Sequence, residues 1–272
     1  MGISTMVLRA VSCWRKLKSG KELLLIRCGE EVVNMKSGDP QIKSKEELMG
    51  ELRTNVKSCE LCKNITNIRK QFGFGKLPGC GSLEPKLMFL TIAPSWTNPT
   101  IKPNYVGEQA AFVSRAFYLW YLLAEAKLLD SKDVENIESE GEISVRASRL
   151  NRFLVEKGIY ITCTLKCPKF GTNPKTGKLR NREPAWNEVL NCLRWLEKEI
   201  RLLEPKIICT LGEIPFKALL EDSKSKPEWC EPYTYEKHIT IFPCHYPKRF
   251  EQDRQISLGE FKQLKNLIES YY

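Results

Sequence analysis

Four short apolar runs, separated by stretches with helical patterning, constrain the fold of this chain more than any other feature. Turn-forming residues bound each run, and the runs cover residues 86–92, 158–163, 205–211 and 239–242. Helical patterns lie between and after them, at residues 109–129, 184–203, 214–220 and 258–271. Strands that are apolar throughout are typical of a parallel sheet covered by helices on both faces. The pattern therefore predicts an α/β fold with three layers, α/β/α, around a central, mainly parallel four-stranded sheet.

The start of the chain is less informative than the rest. Residues 1–45 contain two short apolar stretches that suit either a small hairpin or a packed extension, so we assign this N-terminal extension no role. Ser44 is followed three residues later by Glu47. This is the pattern of a capping box, and it predicts a helix start there. We expect the main domain to cover residues 46–272.

One segment interrupts the alternation of strands and helices. An insertion is expected at about residues 130–157, and its first part, 130–142, carries six acidic residues and one lysine. Charge runs of this kind are usually hydrated surface loops. We therefore predict a mobile acidic loop, with binding of a partner as the alternative.

Charge and cysteine content bear on partners and compartment. The 272 residues carry a formal charge of +10 at pH 7, which favours a polyanionic partner. No stretch is apolar for long enough to cross a bilayer, and Met1 to Lys16 lacks the features of a signal peptide. The 11 cysteines suit a reducing compartment, where thiols stay free or bind metals. We expect an intracellular, soluble monomer of the cytoplasm or nucleoid, with no membrane partner.

Four of the cysteines have the spacing of metal ligands. Cys59 and Cys62 form a C-x-x-C pair, Cys167 follows the second apolar run, and Cys192 lies in a predicted helix. Such a pair is shared by zinc sites, redox dithiols and iron-sulfur clusters, so it does not choose between them. The cysteines that we interpret as core or surface thiols are Cys13, Cys28 and Cys209. Alternative ligands are Cys80, Cys163, Cys230 and Cys244.

The loops after the apolar runs carry an ordered set of motifs. They are Ala93-Pro94-Ser95-Trp96, Asn104-Tyr105-Val106-Gly107, Leu165-Lys166-Cys167-Pro168, Asn181-Arg182-Glu183-Pro184 and Pro243-Cys244-His245-Tyr246-Pro247. Together with the C-x-x-C pair, this order resembles the family-four uracil-DNA glycosylases over about residues 55–250. The resemblance implies a uracil-DNA glycosylase-like fold and a 4Fe-4S cluster, with zinc as the alternative metal. It implies four ligands, Cys59, Cys62, Cys167 and Cys192.

The same resemblance implies a substrate site. Asn98 is the nearest match to the residue that positions water, and Tyr105 matches the aromatic residue that stacks on the flipped base. Cys163 stands where the family has the asparagine that reads uracil, and a thiol cannot supply the paired contacts of an amide. Ala93 and Pro94 belong to the first-strand loop of the same substrate site.

The position of the family's histidine, which stabilises the departing base, has two candidates. Counting without a gap from Pro243 to Pro247 places Tyr246 there, with His245 one residue earlier. We take His245 as the catalytic candidate, through a one-residue shift, and Tyr246 as a substrate contact.

Basic residues cluster on the loops that are expected to flank the cysteines. The predicted contacts to DNA phosphates are Lys166, Lys169, Lys175, Lys178, Arg180, Arg182, Lys248 and Arg249. Neutralising phosphates gives affinity for single- or double-stranded DNA, or for another nucleic acid, without sequence preference. The leading hypothesis is a base-excision glycosylase that acts on uracil or another deaminated base. The alternatives are a catalytically inactive iron-sulfur protein that binds nucleic acid, and a zinc-stabilised scaffold.

Overall fold

The computed structural model describes most of the chain in two compact units. The described residues are 13–19, 22–28, 43–72, 75–94, 112, 117–172, 175–177, 179–236, 238–248 and 250–271. The units comprise residues 1–43 and 44–272. In the first unit, β1 (Cys13–Ser19) and β2 (Glu22–Cys28) form an antiparallel pair.

The second unit is built around a six-stranded sheet. The strands of this unit are β3 (Cys80–Gly81), β4 (Leu87–Thr91), β5 (Ile159–Cys163), β6 (Phe170–Thr172), β7 (Leu179–Asn181), β8 (Ile207–Leu211), β9 (Tyr233–Glu236) and β10 (Ile239–Cys244). The order in the sheet is β3-β5-β4-β8-β10-β9, and β6 pairs separately with β7. The four central strands run parallel, whereas β3 and β9 are antiparallel edge strands.

Helices cover both faces of this sheet. They are α1 (Lys45–Ser58), α2 (Lys63–Phe72), α3 (Phe117–Glu125), α4 (Ser131–Glu138), α5 (Ile143–Glu156), α6 (Trp186–Leu203), α7 (Glu213–Leu219) and α8 (Glu251–Ser270). Successive residues of β4 point into different cores, because side chains alternate along a strand. Phe89 packs with α3, α4, α5 and α8, whereas Met88 and Leu90 pack with α1, α6 and α7.

The predicted α/β class and its parallel centre are confirmed, with a difference at the edges. The sheet has six strands instead of the predicted four. The additional strands escaped the sequence pattern because β3 is only two residues long and no residue of β9 is fully buried. The capping box at the start of α1 is present, with Ser44 and Glu47 each bonding the backbone of the other.

The acidic segment is helical, so the prediction of a mobile loop over residues 130–142 is wrong. Asp130 caps α4 by accepting the backbone N–H of Lys132 at 2.8 Å. Val134 and Ile137, three residues apart, are 1% and 5% exposed and anchor α4 to the core. Two apolar side chains on one face of a short helix suffice here, although acidic residues outnumber them in the sequence.

A membrane span was also sought. Among the helices that the structure describes, none combines the length and apolarity needed to cross a bilayer.

Candidate metal centre and active site

One pocket of the second unit contains the four cysteines that the sequence singled out. Cys59 ends α1, Cys62 precedes α2, Cys167 follows β5 and Cys192 lies on α6. All four line the same pocket, whose space is about 390 Å³ including its opening to solvent. We call it the four-cysteine pocket. The alternative ligands pack elsewhere, within or against the core that contains β8 and β10; they are Cys80, Cys163, Cys230 and Cys244.

The sulfur atoms of this pocket have distinct surroundings. The backbone N–H of Lys166 donates to Cys192 Sγ at 3.2 Å, and Asn191 donates to Cys62 Sγ at 3.7 Å. Burial raises the pKa of Cys192 to about 11 and also raises the pKa of Cys62. Burial acts in the same direction on Cys59, but hydrogen bonds and nearby cations outweigh it and lower the pKa of that thiol.

A buried donor beside these sulfurs fits a sulfur-rich centre. Trp195 lines the pocket and is 7% exposed, and its indole N–H is directed at Cys59, where it helps to lower the pKa of that thiol. Thiolate and sulfide sulfurs accept such hydrogen bonds in iron-sulfur proteins. The four cysteines form no disulfide, so their sulfurs supply the donor set of such a centre. Within the described part of the chain, no group of three or more His, Cys, Asp or Glu side chains is arranged to hold a metal ion.

The predicted substrate-site residues that the structure describes lie at one edge of the sheet. Ala93 and Pro94 follow β4, Cys163 ends β5, and His245 follows β10. The carboxyl ends of parallel strands meet at one edge, which is where open α/β sheets bind ligands. Asn98 and Tyr105 lie outside the described residues.

Cys163 is the last residue of β5 and lies buried at this edge. It is fully buried, and its Sγ lies 3.1 Å from Thr91 Oγ1 on the neighbouring strand. Burial raises the pKa of its thiol to about 12, so the group is neutral at physiological pH. A neutral thiol here is a weak hydrogen-bonding partner for a base.

A buried carboxylate holds His245 in place. Glu260 on α8 is 5% exposed, and its Oε2 accepts the backbone N–H of His245 at 2.8 Å. Its Oε1 lies 2.5 Å from Nδ1 of the same histidine. Trp229 stacks on the imidazole with ring centres 3.8 Å apart. Because the Nδ1 side of the ring faces Glu260, Nε2 is the ring nitrogen left to face a substrate.

Sequence reasoning missed both partners of His245. Glu260 occupies a helix position among the buried residues Ser257, Phe261 and Leu264. An acidic residue on the apolar face of a helix usually has a partner, and this signal was available in the sequence. Trp229 gave no comparable signal, because an isolated tryptophan in a loop suits many kinds of packing.

Tyr246 lies beside the turn that follows β8. A Cβ at Gly212, which has a φ of 98°, would lie 3.6 Å from Tyr246 Cβ. Burial raises the pKa of the Tyr246 phenol, and an electrostatic interaction with Cys163 acts in the same direction. His245 contacts Glu260 and Trp229, whereas Tyr246 interacts electrostatically with Cys163.

The burial of Lys166 contradicts the prediction that this residue contacts DNA. It is only 1% exposed, and its ammonium group lies 2.5 Å from the carboxylate of Glu199. Arg182 is also engaged, through two hydrogen bonds of 2.7 and 2.5 Å to Glu188. Counting charges along the loop could not reveal either carboxylate, because Glu188 and Glu199 lie beyond it on α6.

The other predicted DNA contacts are exposed, half-buried or outside the described residues. Lys175 and Lys248 are exposed, and Lys248 lies 3.5 Å from Asp253. Lys169 is half-buried, and burial lowers the pKa of its amine. Lys178, Arg249 and the side chain of Arg180 lie outside the described part of the chain.

Comparison with known proteins identifies the family. The uracil DNA glycosylase superfamily matches residues 78–268, so the chain belongs to that superfamily, as its motifs predicted. A protein of Saccharolobus solfataricus named type-4 uracil-DNA glycosylase is 24% identical over 226 residues, covering 79% of this chain and 84% of its own. One of Sulfurisphaera tokodaii with the same name is 24% identical over 229 residues, covering 79% of this chain and 83% of its own.

Proposed function

We propose that this protein binds DNA and hydrolyses the N-glycosidic bond of uracil or another deaminated base. Membership of the uracil DNA glycosylase superfamily supports the reaction class. The observation that carries the proposal is the buried Glu260, which holds His245 at the ligand-binding edge of the sheet. A carboxylate with both oxygens on one histidine is a device for orienting a catalytic imidazole.

The proposed chemistry needs a donor for the departing base. When the bond between the sugar and the base breaks, the bonding electron pair leaves with the base, and positive charge develops on the sugar. An N–H group directed at the base stabilises the anion; water adds to the sugar carbon, and the proton it loses ends on the departed base. His245 is the proposed donor through Nε2, as an imidazolium whose second N–H, at Nδ1, donates to Glu260 while Trp229 stacks on its ring.

Strand cleavage of modified DNA tests this function. The substrates are single- and double-stranded oligonucleotides that carry uracil, hypoxanthine or xanthine, followed by alkali to break the chain at abasic sites. Cleavage at the modified base is expected for at least one of them. An absence of cleavage on all six substrates, with DNA binding intact, would favour the second candidate.

The second candidate is a catalytically inactive protein that binds nucleic acid through the same fold. The specific observation in its favour is Cys163, a fully buried, neutral thiol at the position from which the family reads uracil. In this case the protein would bind the oligonucleotides and leave them intact.

We also propose that Cys59, Cys62, Cys167 and Cys192 bind a 4Fe-4S cluster, with zinc as the alternative. Four cysteines in one pocket without a disulfide, and the indole N–H of Trp195 directed at one of them, support a sulfur-bound centre. When bound, the centre would act as a structural cross-link between distant segments. Broad visible absorption together with bound iron would identify the cluster, whereas colourless protein with bound zinc would identify the alternative.

The base preference should depend on Cys163. In the natural protein we expect weak preference for uracil over cytosine, because a missing bidentate contact removes about 1–3 kcal/mol of discrimination. Cys163→Asn should raise cleavage or binding of uracil relative to cytosine, measured on matched oligonucleotides. Cys163→Ala serves as the control without an amide. Strong uracil selectivity in the natural protein would show that another residue reads the base.

DNA affinity should depend on the basic loop between Cys167 and α6. Changing Lys175, Lys178 and Arg180 together to alanine should weaken binding and reduce the slope of log affinity against log salt by about 3. A matched control removes the same charge outside this loop, at Lys132, Lys157 and Lys265. Equal losses in both variants would indicate a net-charge effect instead of a binding loop.

A further inference from the structure

A fully buried ion pair has one member, Lys166, in the wall of the four-cysteine pocket. Lys166 Nζ is 2.5 Å from Glu199 Oε2, and the two side chains are 2% and 0% exposed. Thr162 bridges the pair, since its hydroxyl accepts from Lys166 Nζ at 2.6 Å and donates to Glu199 Oε2 at 2.8 Å. Every polar contact of the pair is therefore made inside the protein.

Both members of the pair are attached to segments that carry cysteines of the pocket. Lys166 directly precedes Cys167, and its backbone N–H donates to Cys192 Sγ at 3.2 Å. Glu199 lies on α6, two turns after Cys192, so the two face the same side of that helix. Glu199 Oε1 also accepts the backbone N–H of Gly79 at 3.1 Å.

Stabilisation of the fold alone is a weak explanation for the presence of a buried ion pair. Removing two charges from water is unfavourable, and replacing a buried ion pair by apolar residues of similar volume is often neutral or stabilising. Breaking the pair by changing one partner is different, because it leaves an unpaired buried charge. A buried pair between two segments instead suits a role in positioning those segments.

We propose that the Lys166–Glu199 pair positions the metal centre of the four-cysteine pocket. It fixes the loop of Cys167 against the helix of Cys192, which sets the separation of those two sulfurs. Lys166 also lines the pocket, and its backbone N–H donates to Cys192 Sγ, so a shift of its loop would disturb one of the four sulfurs directly. The inference rests on the proposed metal centre and is independent of glycosylase turnover.

Separating fold stability from metal retention tests this role. The variants are Lys166→Met, Glu199→Gln and the double change Lys166→Met with Glu199→Leu. Melting temperature is measured beside the rate at which purified protein releases iron to a ferrous chelator or zinc to a zinc chelator. The double variant should recover the melting temperature lost in Lys166→Met, but it should release metal about 10- to 100-fold faster than the natural protein.

A control variant and a substitute for the double variant make the result decisive. Leu154→Ala removes a fully buried side chain from the core that lies on the other face of the sheet, and it should lower the melting temperature without changing the release rate. If the double variant does not fold, Glu199→Gln, which keeps the shape of the side chain, is the test and should also release metal faster. Release at the natural rate from the folded double variant, or from Glu199→Gln in its place, would overturn the inference alone. Purified protein with neither iron nor zinc would overturn the metal centre, and this inference with it.

Discussion

Each of the changes Cys59→Ser, Cys62→Ser, Cys167→Ser and Cys192→Ser is expected to lower bound metal sharply and to destabilise the second unit. The four sulfurs line one pocket that joins the end of α1, the start of α2, the loop after β5 and the middle of α6. A structural metal bound by four thiolates contributes on the order of 10 kcal/mol of folding free energy, so loss of one ligand should be evident. Elemental analysis for iron and zinc, with thermal unfolding, measures both effects.

Cysteines outside the pocket provide matched controls. Cys209 is fully buried on β8, 3.6 Å from the sulfur of Cys244, and Cys13 lies in β1 of the other unit. Cys209→Ser should lower stability by disturbing the core while metal content is unchanged, and Cys13→Ser should leave metal content unchanged. The same metal loss in a control as in a pocket variant would contradict the ligand assignment.

His245→Ala is expected to reduce base excision by about 10²- to 10⁴-fold, the range typical for removal of a positioned acid-base group. The single-turnover rate of strand cleavage on the best substrate measures the effect, since it reports the chemical step. Glu260→Gln should cause a smaller loss, because an amide still bonds His245 but no longer provides the negative charge that orients it. Tyr246→Phe should cause the smallest loss, because it removes only a substrate contact.

The order of these effects decides between the two candidates for the donor. Full activity in His245→Ala together with a large loss in Tyr246→Phe would assign the role to Tyr246. That outcome would agree with the gap-free alignment of Pro243 to Pro247, which places Tyr246 at the position of the family's histidine. DNA affinity, measured in parallel, checks that neither variant loses activity merely by failing to bind.

The basic residues show how far a linear sequence can predict a binding surface. The stretch from Lys166 to Arg182 contains basic residues and no acidic one, which is why these two residues were predicted to contact phosphates. In the structure, Glu199 and Glu188 on α6 neutralise them. Both carboxylates lie outside that stretch, so a charge count over one loop cannot detect them.

The sequence by itself determined the fold class, the superfamily and which four cysteines belong together. Short apolar runs predict buried parallel strands, and the order of motifs along a chain can be recognised without knowing the distances between them. Only the tertiary structure decided which charged groups are buried, and which partner holds each functional side chain. Three such contacts join different elements of the second unit: Glu260 with His245, Glu199 with Lys166, and Trp195 with Cys59. These contacts form only when the helices pack on the sheet, and the local sequence pattern does not predict that packing.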